Sequence, residues 1–127
     1  MIKQLSDPDP ALILNHIHDG LVLLDLDGKI QYANPVFQKI SGRSIDELRG
    51  KTLNDVFDEQ TDQKINPNNL RFHEGDSQVH FNVELPTTEG TFDSYCFFAS
   101  VVRDDEGKAI GLLENFRDMN KLRSMIL

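Results

Sequence analysis

Residues 20–42, GLVLLDLDGKIQYANPVFQKISG, constrain this chain more than any other stretch, because they run strand, turn, strand and helix with almost nothing between. Residues 21–24 form an unbroken apolar run of strand length. Asp25, Asp27 and Gly28 supply turn chemistry, and Ile30 and Tyr32 resume an alternating pattern. Asn34 then stands as an N-cap, with Pro35 at the first helical position, where its missing N–H costs nothing. Phe37 and Ile40 give that helix an apolar side before Gly42 ends it after two turns.

Short helices continue beyond Gly42. Ser44 and Glu47 have capping-box spacing, Gly50 closes that helix around Ile45 and Leu48, and a third begins at Thr52 with Leu53, Val56 and Phe57. Helices of one or two turns are unstable alone, so this block must lie on a sheet. The second half supplies one. Val79, Phe81, Val83 and Leu85 alternate with polar residues, and 87–90 make a turn. Residues 91–102 then form a long strand with Tyr95, Phe97, Ala99 and Val101 on one face and Phe92, Cys96, Phe98 and Val102 on the other. Residues 104–107 turn the chain again, and 109–116 make the last strand. The expected fold is α+β: a five-stranded antiparallel sheet, interrupted once by short helices packed on one face and flanked by N- and C-terminal helices.

Upstream, Asp9 is placed to cap a helix with Pro10 at its first position, Ile13, Leu14 and Ile17 on one side, and Gly20 to stop it. That side is expected to lie on the sheet or on a second subunit. Residues 58–78 are polar, with only Ile65, Leu70 and Phe72 as anchors, and read as a loop with a helical turn in which specificity would reside. Asp118 can cap a new helix that carries Leu122 and Ile126 four apart, an amphipathic segment expected to continue in a longer parent. The expected domain division is a lead-in over 1–9, one folded domain over 10–117, and the start of an outgoing helix over 118–127.

Bulk properties exclude several function classes. One domain is all that 127 residues accommodate. A net charge of -8 with scattered Lys and Arg argues against direct nucleic-acid binding, since phosphate recognition needs a basic face. The single Cys96 rules out an internal disulfide or a multi-cysteine metal site. No signal-peptide core or membrane-length apolar run is present, so the expectation is a cytoplasmic module without membrane contact.

The chain resembles a PAS domain, the small sensory module of bacterial signalling proteins. The likeness rests on Asp19-Gly20, the Asp27-Gly28 turn, Asn34-Pro35, Gly42 and the Glu47-Leu48 to Gly50-Lys51 pattern in the first half. Glu89-Gly90, Asp105-Glu106-Gly107, Gly111 and Arg117-Asp118 carry it through the second. Asp118-Met119-Asn120 stands where the family usually has Asp-Ile-Thr, the junction with the signalling helix, so the resemblance implies a signal-relay role for Asp118.

The same resemblance raises cofactor chemistry. The flavin-photoadduct signature of the light-sensing subgroup, Gly-x-Asn-Cys-Arg-Phe-Leu-Gln, is absent, and Cys96 falls on a strand. An axial haem ligand would have to be His73, which lies among Arg71, Glu74 and Asp76 rather than in an apolar setting. Haem and flavin are therefore disfavoured, and the cofactor is left unknown. His16 and His18 lack the further ligands a metal site requires. No catalytic constellation is recognisable. The remaining reading is a binding module with Phe37, Ile40, Phe57, Leu70, Tyr95 and Phe97 lining a small-molecule cavity, weighed against a core that these residues simply fill. The expected partners are a second copy of the chain, a small ligand or partner protein, and a downstream effector: a histidine kinase, an enhancer-dependent transcription activator or a diguanylate cyclase. Residues 113–127 resemble the exit segment of the transcription activators. A dimerisation scaffold without ligand is the alternative.

Overall fold

Residues 10–57, 61, 64–66, 78–87 and 89–120 are described by a computed structural model. Their elements run α1 (Pro10–Asn15), β1 (Gly20–Leu24), β2 (Ile30–Ala33), α2 (Pro35–Ser41), α3 (Ile45–Leu48), α4 (Leu53–Val56), β3 (Gln78–Pro86), β4 (Phe92–Arg103) and β5 (Ala109–Asp118). The strands form one antiparallel sheet in the order β2-β1-β5-β4-β3. The last strand thus occupies the middle, between β1 of the first hairpin and β4 of the second, and joins the two halves of the chain. The architecture is the expected α+β one. Among the described residues no helix is long and apolar enough to cross a membrane.

Local chemistry sets the turns. Asp25 Oδ1 accepts the amides of Asp27 and Lys29, both at 2.9 Å, while Gly28 takes φ 80°. The β4–β5 turn repeats this device: Asp104 Oδ1 accepts the amides of Glu106 and Lys108 at 2.9 Å, with Gly107 at φ 82°. Side-chain acceptance two and four residues on favours this tight turn, and the glycine supplies the left-handed residue it needs. The Ser44–Glu47 capping box forms as the spacing predicts. Asp55 makes a similar reach to the Thr52 amide (2.9 Å) and hydroxyl (3.1 Å), bonds that hold its carboxyl below the usual value, the amide contributing most.

Asn34 ties the first half together. Its Oδ1 accepts the amides of Leu21 (2.9 Å) and Phe37 (3.0 Å), and its Nδ2 donates to the carbonyls of Asp19 (2.8 Å) and Leu14 (3.3 Å). One buried amide therefore caps α2, holds the start of β1 and takes the end of α1. Helix α1 ends at Asn15, sooner than expected: His16 and Ile17 bond back only three residues, and Leu14's carbonyl is shared with Asn34. Gly20 is not the stop signal that its position suggests. It opens β1, and a Cβ there would lie 2.7 Å from Ile40 Cδ1 and 3.5 Å from Phe37 Cα, so its missing side chain lets α2 approach the strand. The Asp9 cap lies outside the described residues.

The core sits between the sheet and the helical layer. Val22, Leu24, Ile30, Phe37, Leu48, Leu53, Ile65, Leu85, Phe97 and Phe116 are buried to 2% exposure or less. The assignment of faces along β4 holds, with Tyr95, Phe97 and Ala99 buried and Cys96 and Phe98 partly exposed. Outside the core, Leu12, Ile13 and Ile17 of the α1 region remain exposed.

Candidate functional site

A cleft of about 300 Å³ opens between α2 and the end of the sheet where β3 turns into β4. Its floor follows from strand alternation. Asp93 stands two residues before Tyr95 on β4, and Asp118 two after Phe116 on β5, so the core-facing rows of both strands run on past the apolar core and end in carboxylates. Tyr95 and Asp118 are direct partners across the two strands. Leu85 and Pro86 of β3 complete the floor, Val36, Lys39 and Ile40 of α2 form the facing wall, and His18 and Thr87 close the ends.

Tyr95 is the chemical centre of this cleft. The residue is 7% exposed, its ring meets Phe116 edge-on at 6.4 Å, and its hydroxyl has no hydrogen-bond partner among the described residues. Burial foremost, then the charges of Asp93 and Asp118, push the phenol up to about 12. Near neutral pH it is therefore a neutral donor and acceptor set in a negative field. Asp118 also engages the chain beyond the sheet, where its Oδ1 accepts the Asn120 amide at 2.8 Å as helical backbone resumes with Met119. On the other face of the sheet Arg117 pairs with Asp19 at 3.2 Å and lies over the Phe98 ring at 5.6 Å, linking the start of β1 to the end of β5.

A family model described as the PAS fold matches residues 14–124. The chain belongs to the PAS fold family. No curated protein matches this PAS domain in sequence. Among solved structures, a PAS domain from Colwellia psychrerythraea is similar with a TM-score of 0.73 and 18% identity, over 87% of this chain and 94% of the other. The PAS domain of an HTR-like protein from Haloarcula marismortui gives a TM-score of 0.66 at 20% identity, over 85% and 87%. That of nitrogen regulation protein NR(II) from Vibrio parahaemolyticus gives 0.65 at 18%, over 88% and 99%.

Of the six residues named for a cavity from the sequence, the cleft of this PAS domain brings together Ile40 and Tyr95. Phe37, Phe57 and Phe97 belong to the core cluster instead, where Phe37 meets Phe57 at 6.0 Å and Phe116 at 5.5 Å, and Phe97 meets Phe116 at 5.2 Å. Leu70 and His73 lie outside the described residues. Asp118, named for signal relay, also lines the cleft. His16 and His18 are exposed, and among the described residues no three metal-ligating side chains cluster.

Sequence reasoning missed Asp93, Lys39, Phe116 and Glu114. Phe116 is the hub to which Phe37, Tyr95 and Phe97 all pack. Glu114 is a fully buried carboxyl on the same row, flanked by Val22 of β1 and Ala99 of β4. The signal was available for three of them, since period-two counting puts 112, 114, 116 and 118 on one face and 93 with 95. Lys39 had none, because only the crossing of α2 over the sheet brings it to the cleft.

Proposed function

We propose that this PAS domain is a non-catalytic sensor in a bacterial signalling protein, responding to a small ligand or partner and relaying the response through Asp118 to the helix that begins at Met119. The observation that carries this reading is the double placement of Asp118, which lines the cleft and accepts the Asn120 amide where helical backbone resumes. An occupant that prefers one geometry of Asp118 and Tyr95 shifts the population of helix orientations, and a downstream domain reads the shift. A kinase, an enhancer-dependent activator or a diguanylate cyclase is the proposed output. The fold likeness to NR(II), a nitrogen regulation protein, is in keeping with that range.

The proposed assembly is a homodimer. Leu12 (52% exposed) and Ile13 (50%) on α1 and Ile17 (37%) just after it are exposed apolar side chains, which a second copy would cover. The same side chains also support the alternative, a scaffold that dimerises and binds nothing small. Native mass spectrometry of protein purified from cells separates the two. A reproducible non-covalent mass on the protomer is expected for the sensor, whereas a dimer of unadorned protomers from every preparation would favour the scaffold.

A further inference from the structure

We infer that the cleft between α2 and the β3–β4 end of the sheet is a binding site for a small zwitterion of the amino-acid class, with Asp93 and Tyr95 taking the ammonium and Lys39 the carboxylate. This inference rests on the sensor reading and names the ligand for it.

Tyr95 points to a ligand. A phenol 7% exposed normally satisfies its hydroxyl within the protein, yet this one lines a cleft and has no such partner among the described residues. The side chain of Asp93, two residues away on the same face and half-buried, also makes no hydrogen bond or ion pair among the described residues. A carboxylate and a phenol oxygen side by side suit a cation with several N–H donors. Burial first, and then the charges of Asp93 and Asp118, keep the Tyr95 phenol protonated there.

The opposite wall carries the other sign. Lys39 reaches the cleft from α2, and no ion pair to it occurs among the described residues. His18 adds a further donor or acceptor at one end. A purely cationic ligand would face Lys39, and a purely anionic one would face Asp93 and Asp118. A molecule with an ammonium at one end and a carboxylate at the other meets both walls. Between them Ile40 is the accessible apolar side chain, Leu85 and Phe116 close the floor at 1% exposure each, and about 300 Å³ accommodates a single amino acid with an aliphatic or aromatic side chain. Asp118 already holds the Asn120 amide, so the ligand's ammonium lies beside a carboxylate that is engaged with the outgoing helix.

The test uses the full chain and three probes that differ only in their charged ends: L-leucine, isopentylamine (leucine without its carboxylate) and isocaproate (leucine without its ammonium). L-methionine and L-phenylalanine vary the apolar part. Each is added at about 10 mM and the unfolding midpoint is followed by calorimetry, with titration calorimetry for any compound that acts. At least one amino acid is expected to raise the midpoint by roughly 3 °C or more, and the two truncated leucine analogues to bind at least about tenfold more weakly. Tyr95→Phe and Asp93→Asn should each abolish the shift while the ligand-free variants still unfold cooperatively. The inference is overturned if no amino acid moves the midpoint, if the amine or the acid alone acts as well as the amino acid, or if Tyr95→Phe binds undiminished. An effect confined to isopentylamine or isocaproate would remove the zwitterion and leave the sensor reading standing, whereas the sensor reading has its own test in the co-purified mass.

Discussion

Asn34 is 1% exposed and uses both ends of its amide, so each bond it makes replaces water that cannot reach the site. Asn34→Ala removes the α2 cap and leaves the buried Leu21 amide without its side-chain acceptor. The expected cost is about 3 kcal/mol, seen as a fall of roughly 10 °C in the thermal midpoint. Asn34→Asp keeps the acceptor for Leu21 and Phe37 but turns a carboxylate oxygen toward the carbonyls of Asp19 and Leu14, so it should restore the cap without restoring stability. Tyr95 gives a prediction of a different kind. Its folded value of about 12 lies above the ordinary 10.0, so the folded state holds its proton where the unfolded state releases it. The resulting contribution is complete below pH 10 and is lost as pH rises through about 12. In urea unfolding across that window, Tyr95→Phe should show a smaller alkaline decline than the parent; parallel curves would show that the phenol is not held up by the fold.

Among the described residues two glycines allow elements to approach closely, and they differ in what stands opposite. At Gly111 a Cβ would lie 2.5 Å from the Leu24 carbonyl oxygen, backbone against backbone where β5 meets β1. At Gly20 the obstacle is Ile40 Cδ1, the far end of a flexible side chain. Gly111→Ala is therefore expected to cost about 2 kcal/mol or more, because the central sheet pair has to separate, and Gly20→Ala less than about 1 kcal/mol, because Ile40 can change rotamer. Equilibrium denaturation of the two variants side by side checks the order. Gly20→Ala moves an α2 side chain that walls the cleft, so it should perturb binding more than folding.

Across the whole molecule, β5 links the parts. It pairs with β1 and β4, places Phe116 at the centre of the aromatic core, and ends at Asp118, which lines the cleft and accepts the Asn120 amide. In the proposed relay, a rearrangement at the cleft would reach Asn120 through Asp118. Asp118→Ala should leave the core intact and cost the outgoing helix a capping bond worth about 1 kcal/mol, which in hydrogen exchange appears as roughly fivefold faster exchange at the Asn120 amide with unchanged protection of β4 and β5. An unchanged Asn120 amide would count against the relay role of Asp118.

Much of this was legible in the residues themselves. Turn aspartates, the Ser44–Glu47 box, the Asn34-Pro35 helix start and period-two alternation all act over four residues or fewer. Their conformational preferences are set locally even though their stability needs the sheet, so the elements and the number of strands followed from them. The order of strands across the sheet did not follow, because which edge β5 joins is set by burial between segments about ninety residues apart. For the same reason Phe37 and Phe97 read equally well as pocket wall and as core, a choice made by how α2 lies on the sheet. Gly20 looked like a helix stop and proved to be a packing allowance. Lys39 came to line the same cleft as Asp93 because a helix lies beside a strand end. Local chemistry determined what the chain could form; the position of each charge relative to the others was decided only when the two halves closed on β5.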